Sequence, residues 1–491
     1  MMVKPSGCTG CPLEHHGQYF TPDNIPASAT VLFIAQNPGP DEESGLRLVK
    51  RHYQNSYQYF DEKVHVQPQP LIGATGALFD QRFLSLTGLT RDEVGTANAI
   101  RCRPGASLRL RADALPALSS AVKLESSDAD IVKALKHCRD TYLHIPSSVK
   151  TIVTMGRYAM FALTGIQNEE LEYGKKQGVM ESWRGYGVNV TNFSRFNTVD
   201  TSIYHDLQSE HRIFFTMHIA ALFREKKYFH ATLEDFNRLK HLLSRNWPGA
   251  LPTWEHLPPA SWPATAAFDT EYDTDNNDSL IRWSMTNLSN FAETYCVEAF
   301  DTPEAGIPIA DNSVVLLQNA HADMLHLANI VDFTKVTIHD MMLAHSVLWT
   351  GEPHNLNYIQ SKYGSLNRYK HLSKALPQLY SACDSFQPAL MWKHHFIPQF
   401  KQDRESWNVY KNIRLQLIKP IAKAHQTGVK VDTVRLAEVC QTLEERIAGY
   451  VQRAKDITND EEFSLSGQKK MMSALYRSEA HATRNSIKSS T

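Results

Sequence analysis

The stretch Ala266-Ala267-Phe268-Asp269-Thr270-Glu271 brings two carboxylates, one residue apart, to the end of an apolar run. Side chains alternate faces along a strand, so Asp269 and Glu271 are expected to project from one side, near enough to share a divalent cation. An acidic pair alone usually marks a solvated strand end, so the reading depends on what else converges there. Two strand-like segments follow, 280–288 and 294–300, and then Val314-Val315-Leu316-Leu317 runs into Gln318-Asn319-Ala320-His321-Ala322-Asp323. If a helix begins here, Asn319 and Asp323 share a face. Tyr380-Ser381-Ala382-Cys383-Asp384 repeats that spacing with Tyr380 and Asp384.

Carboxylates Asp269, Glu271, Asp323 and Asp384 with Tyr380, in this order, resemble the proofreading 3′–5′ exonuclease domain of family A DNA polymerases, the DEDD type with tyrosine. The resemblance implies an RNase H-like (DnaQ-like) fold. It also implies that Asp269, Glu271 and Asp384 hold two Mg²⁺ or Mn²⁺ ions, that Asp323 completes the site, and that Tyr380 orients the attacking water. Asn319 is expected on the substrate side. Two ions about 4 Å apart activate a nucleophile and neutralise a leaving 3′ oxygen. Asp340 matches a family position read as structural, and His345 and His354 are read as ordinary.

At 491 residues the chain exceeds what one core supports, and two or three domains are expected. A 42% hydrophobic and 21% charged composition fits a soluble globular protein. No apolar run approaches a membrane span, and the amino terminus lacks the apolar core of a signal peptide, which points to the cytoplasm. The formal net charge of -1 rules out a global positive field as the means of attracting nucleic acid. Any DNA contact must then use local basic patches. The seven cysteines are an odd number, and a reducing compartment favours ligand or buried roles over disulfides.

Upstream, Val31-Leu32-Phe33-Ile34 reads as a buried parallel strand that enters the turn Gln36-Asn37-Pro38-Gly39-Pro40. Segments 96–100, 151–156 and 213–217 repeat the pattern, so Asn37, Asn98 and His218 fall at strand ends, where α/β proteins place their ligands. The ordered set Cys8-Thr9-Gly10-Cys11-Pro12-Leu13, the Pro-Gly turn, 70–76, Asn98 with Cys102-Arg103-Pro104, Cys138, the turn at Met155 and His218 resembles the iron-sulfur (family 4) uracil-DNA glycosylases. That resemblance covers about the first half of the chain.

It implies a [4Fe-4S] cluster on Cys8, Cys11, Cys102 and Cys138, for which four thiolates suffice. The residues themselves leave a structural zinc or unligated thiols as alternatives. Cys296, Cys383 and Cys440 are read as ordinary buried cysteines. By the same resemblance Asn98 bonds the edge of an extruded uracil, His218 stabilises charge on the departing base, and the Gln36-Asn37 turn positions water. Three positions depart from the family: Gln36 stands where an acid is usual, Leu71 replaces the stacking aromatic, and Ile219 replaces the proline after the histidine. Asn37-Pro38-Gly39 also looks like the turn of the mismatch-specific and single-strand-selective glycosylases, in which asparagine orients water. A glycosylase-like domain that has lost catalysis therefore stays open as an alternative.

The insertion carrying Arg47, Lys50, Arg51, Tyr53, Tyr57, Tyr59 and Phe60 mixes cations and aromatics in a way that suits single-stranded DNA, and its bland reading is a solvated helix. Arg109 and Arg111 lie in a second insertion. Trp247 to Pro263 is proline-rich and reads as a stiff linker that its tryptophans, Trp247, Trp254 and Trp262, pin to a neighbour. Trp407 to Ile413 and Gly428 to Asp432 continue the likeness to family A polymerases. A helix with Leu436, Val439, Leu443, Ile447 and Tyr450 at helical spacing then resembles the base of the thumb.

The expected architecture is α/β. It comprises a parallel-sheet uracil-DNA-glycosylase-like domain over 1–245, a linker over 246–264, an exonuclease domain over 265–400, a truncated helical thumb over 401–478 and a disordered tail over 479–491. Palm and fingers are not recognised. The expected partners are single-stranded DNA 3′ ends, uracil-containing DNA and a separate palm-fingers polymerase chain, with no membrane. The order of domains resembles certain large phage DNA polymerases, which implies a phage protein in a bacterial host. Two functions are weighed: a bifunctional exonuclease and glycosylase, and a non-catalytic replisome subunit that binds DNA or template uracil.

Overall fold

The computed structural model describes residues 2–15, 19–53, 59–103, 126–165, 169–170, 176–177, 180, 183–190, 207–224, 226–244, 251–273, 279–299, 307–327, 330–373, 376–459 and 461. Tyr57, Arg109, Arg111, Trp247, the thumb-like continuation over 462–476 and the 479–491 tail lie outside them, as do the side chains of Arg51, Tyr53, Tyr59 and Phe60.

Five apolar segments form the first sheet: β1 (Val31–Ala35), β2 (Val94–Asn98), β3 (Thr151–Met155), β4 (Gly187–Asn189) and β5 (Arg212–Thr216), in the order β4-β5-β3-β1-β2. β5, β3, β1 and β2 are mutually parallel, whereas β4 runs antiparallel to β5, so the expected parallel sheet carries one reversed edge strand. The β1 side chains alternate between two cores, as a strand covered on both faces requires. Leu32 and Ile34 join Ile152, Ile213 and Phe215 on one face, while Val31, Phe33 and Ala35 join Val153, Met155 and Phe214 on the other. The covering helices include α1 (Pro40–Ser44), α2 (Ser126–Tyr142), α3 (Arg157–Thr164) and α4 (Phe229–Ser244). The chain passes from β1 to β2 on one side and then crosses to β3 on the other, which opens a crevice at the carboxyl ends of β1 and β3.

The second sheet contains β6 (Thr265–Asp273), β7 (Ser279–Asn287), β8 (Thr294–Glu298), β9 (Val314–Leu317) and β10 (Thr337–Asp340), ordered β8-β7-β6-β9-β10. β8, β7 and β6 are antiparallel neighbours, and β6, β9 and β10 are parallel, the RNase H-like arrangement. Its helices include α5 (Ala320–His326), α6 (Met341–Leu348), α7 (Leu356–Tyr363) and α8 (Pro377–Met391). α8 lies against the sheet, where Ser284 Oγ donates to the Ser381 carbonyl at 2.7 Å and Thr286 Oγ1 stands 3.1 Å from Ser385 Oγ.

The chain divides into two compact units, Met1–Ala422 and Lys423–Thr491, and both sheets belong to the first. Within it Leu366, Tyr369, Leu372 and Cys383 pack into the core of the first sheet with Trp183 and Phe215. The proline-rich stretch is docked as well: Trp262 is buried with Phe268 and Trp283, and Glu255 pairs with Tyr295. The insertion read as a solvated helix is instead an antiparallel hairpin, Leu46–Tyr53 with Tyr59–His65. Its β-branched and aromatic residues favour a pleated ribbon over a helix.

In the second unit α9 (Thr433–Thr458) starts at Asp432, whose carboxylate accepts from Arg435 N at 2.9 Å, and ends at Asn459 in the left-handed region. Leu436, Val439, Leu443, Ile447 and Tyr450 are exposed. Cys440 is exposed too, which corrects its reading as buried: it lies on a helix with no buried residues. Among the described residues no helix is long and apolar enough to cross a membrane.

Candidate active sites

On β6 the two-residue period carries Asp269 and Glu271 to one face, and the register shifts directly after Glu271. α8 brings Asp384 over them. Oxygens of Asp269, Glu271 and Asp384 lie within 4.8 Å of one another, a donor set that fits a divalent cation. Glu271, Asp323 and Asp384 are buried, and Asp269 Oδ2 is a buried oxygen with no hydrogen-bond donor. Burial, then the charges of Asp384, Glu271 and Asp323, push the Asp269 carboxyl well above the ordinary range. Asp323 stands on α5 and accepts from Thr270 Oγ1. Burial raises its pKa to about 7.

Tyr380 lies one helical turn before Asp384. Its hydroxyl is held protonated by burial and by the carboxylates of Asp384, Glu271 and Asp269. Asn319 does not share a helical face with Asp323, because α5 begins at Ala320 and Asn319 is its cap in the left-handed region. The Asn319 and Ala320 N–H groups donate to Asp340 at 3.3 and 2.9 Å, and Leu343 N donates to the same carboxylate at 3.2 Å. Asp340 thus caps two helices. His345 and His354 are paired through their Nδ1 atoms at 2.7 Å, and His345 Nε2 lies 3.6 Å from the Glu352 carboxylate.

Composition gave no signal for two further residues here. Lys370 Nζ donates to Asp384 Oδ1 at 2.5 Å, to Oδ2 at 2.6 Å and to Tyr380 Oη at 3.4 Å, and Tyr369 Oη donates to Asp384 Oδ1 at 2.7 Å. Tyr369 caps and Lys370 opens a single 3₁₀ turn, Lys370–Leu372, before α8, too short for any period to mark them.

The second site lies at the carboxyl rim of the first sheet, where Asn37 follows β1, Asn98 ends β2 and His218 follows β5. Nδ1 of His218 accepts from Ala220 N at 3.1 Å, which leaves the ring hydrogen on Nε2, and Nε2 is buried without a partner. Burial, then Arg224, lowers the ring's pKa to about 4, so it stays neutral at physiological pH. Gly156, just past β3 with φ +87°, makes room for it: a Cβ there would meet His218 Cβ at 2.7 Å.

Asn98 is buried with neither end of its amide in good hydrogen-bond geometry, and the Glu42 carboxylate is its near neighbour. Asn37 Nδ2 donates to its neighbouring Pro38 carbonyl at 3.0 Å, and Gln36 beside it is half-buried. Leu71 is buried in one apolar cluster with Ile219, at φ 60°, a conformation costly for a branched residue. Glu42, which is buried together with Glu43 on α1, holds this geometry. Its carboxylate accepts from Leu71 N at 2.8 Å and Gly39 N at 3.1 Å, and burial raises its pKa to about 7.

Cys8, Cys11, Cys102 and Cys138 are buried, outside any disulfide, and line one cavity with Lys4, Phe20 and Arg101. Four buried thiols around one cavity are a donor set that fits an iron-sulfur cluster or a structural zinc. Burial pushes the Cys102 thiol up to about 12, while a hydrogen bond with Cys138 lowers Cys11.

Residues 22–240 match the Uracil DNA glycosylase superfamily. Within the curated proteins, the chain is 22% identical over 191 residues to the type-4 uracil-DNA glycosylase of Saccharolobus solfataricus, covering 39% of this chain and 70% of that protein. Solved structures similar to the chain include Brucella melitensis NrnC with bound Mg²⁺, at 14% identity and TM-score 0.25, covering 35% of this chain and 90% of NrnC. Escherichia coli RNase D follows at 14% identity and TM-score 0.26, covering 33% of this chain and 46% of RNase D. The glycosylase-superfamily region contains every rim residue named above and two of the four cysteines.

Proposed function

We propose that the protein is a DNA-processing enzyme with a metal-dependent 3′–5′ exodeoxyribonuclease site and a uracil-recognising glycosylase domain. The convergence of Asp269, Glu271 and Asp384 oxygens within 4.8 Å, beside Asp323 and Tyr380, carries this reading. Two Mg²⁺ or Mn²⁺ ions held by these three carboxylates would activate water and neutralise the leaving 3′ oxygen. Tyr380 then donates a hydrogen bond that orients the water, Asp323 completes the acidic wall, and Lys370 balances its charge. Asn319, as a capping residue, borders the strand's entry.

In the glycosylase domain Asn98 bonds the polar edge of an extruded base with its amide, and Leu71 packs against the ring. His218 offers Nε2–H to the oxygen on which charge grows as the glycosidic bond breaks. The Gln36-Asn37 turn places the water. Cys8, Cys11, Cys102 and Cys138 would hold a [4Fe-4S] cluster that ties the amino terminus to α2.

The finer placement rests on the polymerase-like stretch from Trp407 to Tyr450. It describes a proofreading exonuclease of a family A phage polymerase, acting in the host cytoplasm beside a separate palm-fingers chain. The exposed apolar residues of α9 favour a second reading, a replisome subunit that docks such a chain. Co-purification with a second polymerase chain supports that reading, and a monodisperse monomer opposes it.

The test uses a 3′-blocked single-stranded oligonucleotide with one internal uracil in EDTA, followed by alkali, and an unblocked strand with Mg²⁺. Strand scission at the uracil together with Mg²⁺-dependent digestion from the 3′ end is expected. Digestion without scission leaves the first domain as a binding module, and neither activity defeats the proposal.

A further inference from the structure

We infer that the glycosylase domain contributes a positioning residue to the exonuclease site: Tyr186 orients the metal-binding carboxylate of Asp384 through a buried relay of hydrogen bonds. This rests on the exonuclease reading above for its function, and on geometry alone for its existence.

Tyr186 Oη donates to Gln360 Oε1 at 3.3 Å, Gln360 Nε2 donates to Tyr369 Oη, and Tyr369 Oη donates to Asp384 Oδ1 at 2.7 Å. Each group in this chain is buried, with exposures of 2% for Tyr186, 1% for Gln360, 1% for Tyr369 and 4% for Asp384. Tyr369 Oη also lies 3.3 Å from the Cys383 carbonyl, and its shorter contact is the one to the Asp384 carboxylate. An amide accepts at one end and donates at the other, so Gln360 transmits the direction and its own orientation is set by its neighbours. Such chains polarise one another and are stronger together than apart.

The segment holding Tyr186 is built to stay in place. It leads into β4, with Gly185 N donating to Phe215 O at 2.8 Å and Phe215 N to Tyr186 O at 3.2 Å. Gly185 has φ +76°, and a Cβ on it would stand 2.7 Å from the Ser361 carbonyl, so the two domains meet backbone to backbone. Arg184 pairs with Asp235 on α4 at 2.5 Å and donates to Ser361 Oγ at 3.1 Å. The Trp183 ring packs under Arg368, 4.3 Å from the centroid, next to Tyr369. Residues 183–186 therefore grip both α7 and the loop that carries Tyr369 and Lys370.

Asp384 needs a fixed orientation because it must present oxygen to an ion shared with Asp269 and Glu271. Groups that orient metal ligands in this way typically contribute about 10- to 100-fold to metal affinity or activity. Two independent readouts test the relay in the full-length protein. The first is Mn²⁺ affinity by electron paramagnetic resonance, which needs no turnover. The second is the Mg²⁺ concentration that half-saturates 3′ digestion. Tyr369→Phe is expected to weaken Mn²⁺ about tenfold, and Tyr186→Phe about threefold. Each should shift the Mg²⁺ titration by the same factor as its Mn²⁺ affinity, with the maximal rate restored by excess metal and the KM for DNA unchanged. Gln360→Glu keeps the size but removes the donor to Tyr369, and should behave like Tyr369→Phe.

Wild-type Mn²⁺ affinity in folded Tyr186→Phe and Gln360→Glu proteins, verified by their melting curves, would overturn the relay. Weakened Mn²⁺ binding in these variants, in a wild-type protein without nuclease activity, would support the relay and overturn the exonuclease reading instead.

Discussion

Lys370 Nζ bridges both carboxylate oxygens of Asp384, at 2.5 and 2.6 Å, within a buried acidic cluster. This ammonium group lowers the cost of gathering Asp269, Glu271, Asp323 and Asp384 in one place, since like charges brought out of water repel strongly. Lys370→Met should lower stability by about 3 kcal/mol in EDTA, the scale for breaking a buried pair from one side. Saturating Mg²⁺ should recover part of that loss. Thermal melting with and without the ion measures both effects.

Asp269→Ala removes a carboxylate of the proposed metal site, one whose Oδ2 is buried without a hydrogen-bond partner. Digestion from the 3′ end should fall by more than about a hundredfold, beyond the usual effect of a mere supporting residue. Melting in EDTA should stay level or rise, because a desolvated, repelled carboxylate has been deleted. A variant that digests DNA as fast as wild type removes Asp269 from the site.

The pH dependence of metal-free stability follows from Asp323. Its carboxyl titrates near 3.8 when unfolded and at about 7 when folded. The unfolded chain thus releases this proton first, so the Asp323 contribution disfavours folding increasingly from about pH 4 to pH 7 and is constant above that. A divalent cation held beside Asp323 would favour its ionised form. The Mg²⁺-induced rise in melting temperature should therefore be larger at pH 8 than at pH 5.5, and an equal shift at both would contradict the assignment.

His218 is neutral down to about pH 4. For this group the folded value lies below the unfolded one, so its contribution to stability is full above pH 6.5 and is lost as pH falls toward 4. Uracil excision should accordingly show no loss attributable to His218 between pH 8 and pH 5. His218→Ala should reduce excision about 10²- to 10³-fold, the scale for one oriented donor. Equal excision by the variant places the chemistry elsewhere.

Cys102→Ser should abolish iron and acid-labile sulfide in anaerobically purified protein, whereas Cys440→Ser, on an exposed helix, should leave both unchanged. Iron retained at wild-type stoichiometry in Cys102→Ser would exclude that cysteine as a ligand.

Much of the architecture could be read from local pattern. The apolar runs at 31–35, 151–155 and 213–216 are central strands, and the two-residue period at Asp269 and Glu271 places both on one face. The hairpin at 46–65 was less legible, since a mixture of cations and aromatics has no strict period. Asn319 shows the limit of spacing arguments: four residues from Asp323, it lies off the helix because the Asp340 carboxylate receives the first N–H groups of α5. Cys440 resembled the other cysteines in the sequence and differs from them only in what surrounds it.

From the sequence alone came the identity and order of the chemical groups: four cysteines, three rim residues at strand ends, and carboxylates with a tyrosine at helical and strand spacing. Those patterns are local, because backbone geometry repeats within a few residues. Only the tertiary structure decided that Lys370 and Tyr369 clasp Asp384, that Glu42 holds Leu71 in a strained turn, and that Tyr186 of one domain reaches the site of the other. These partnerships satisfy buried polar groups with partners from distant segments, and such a need leaves no periodic trace in either segment.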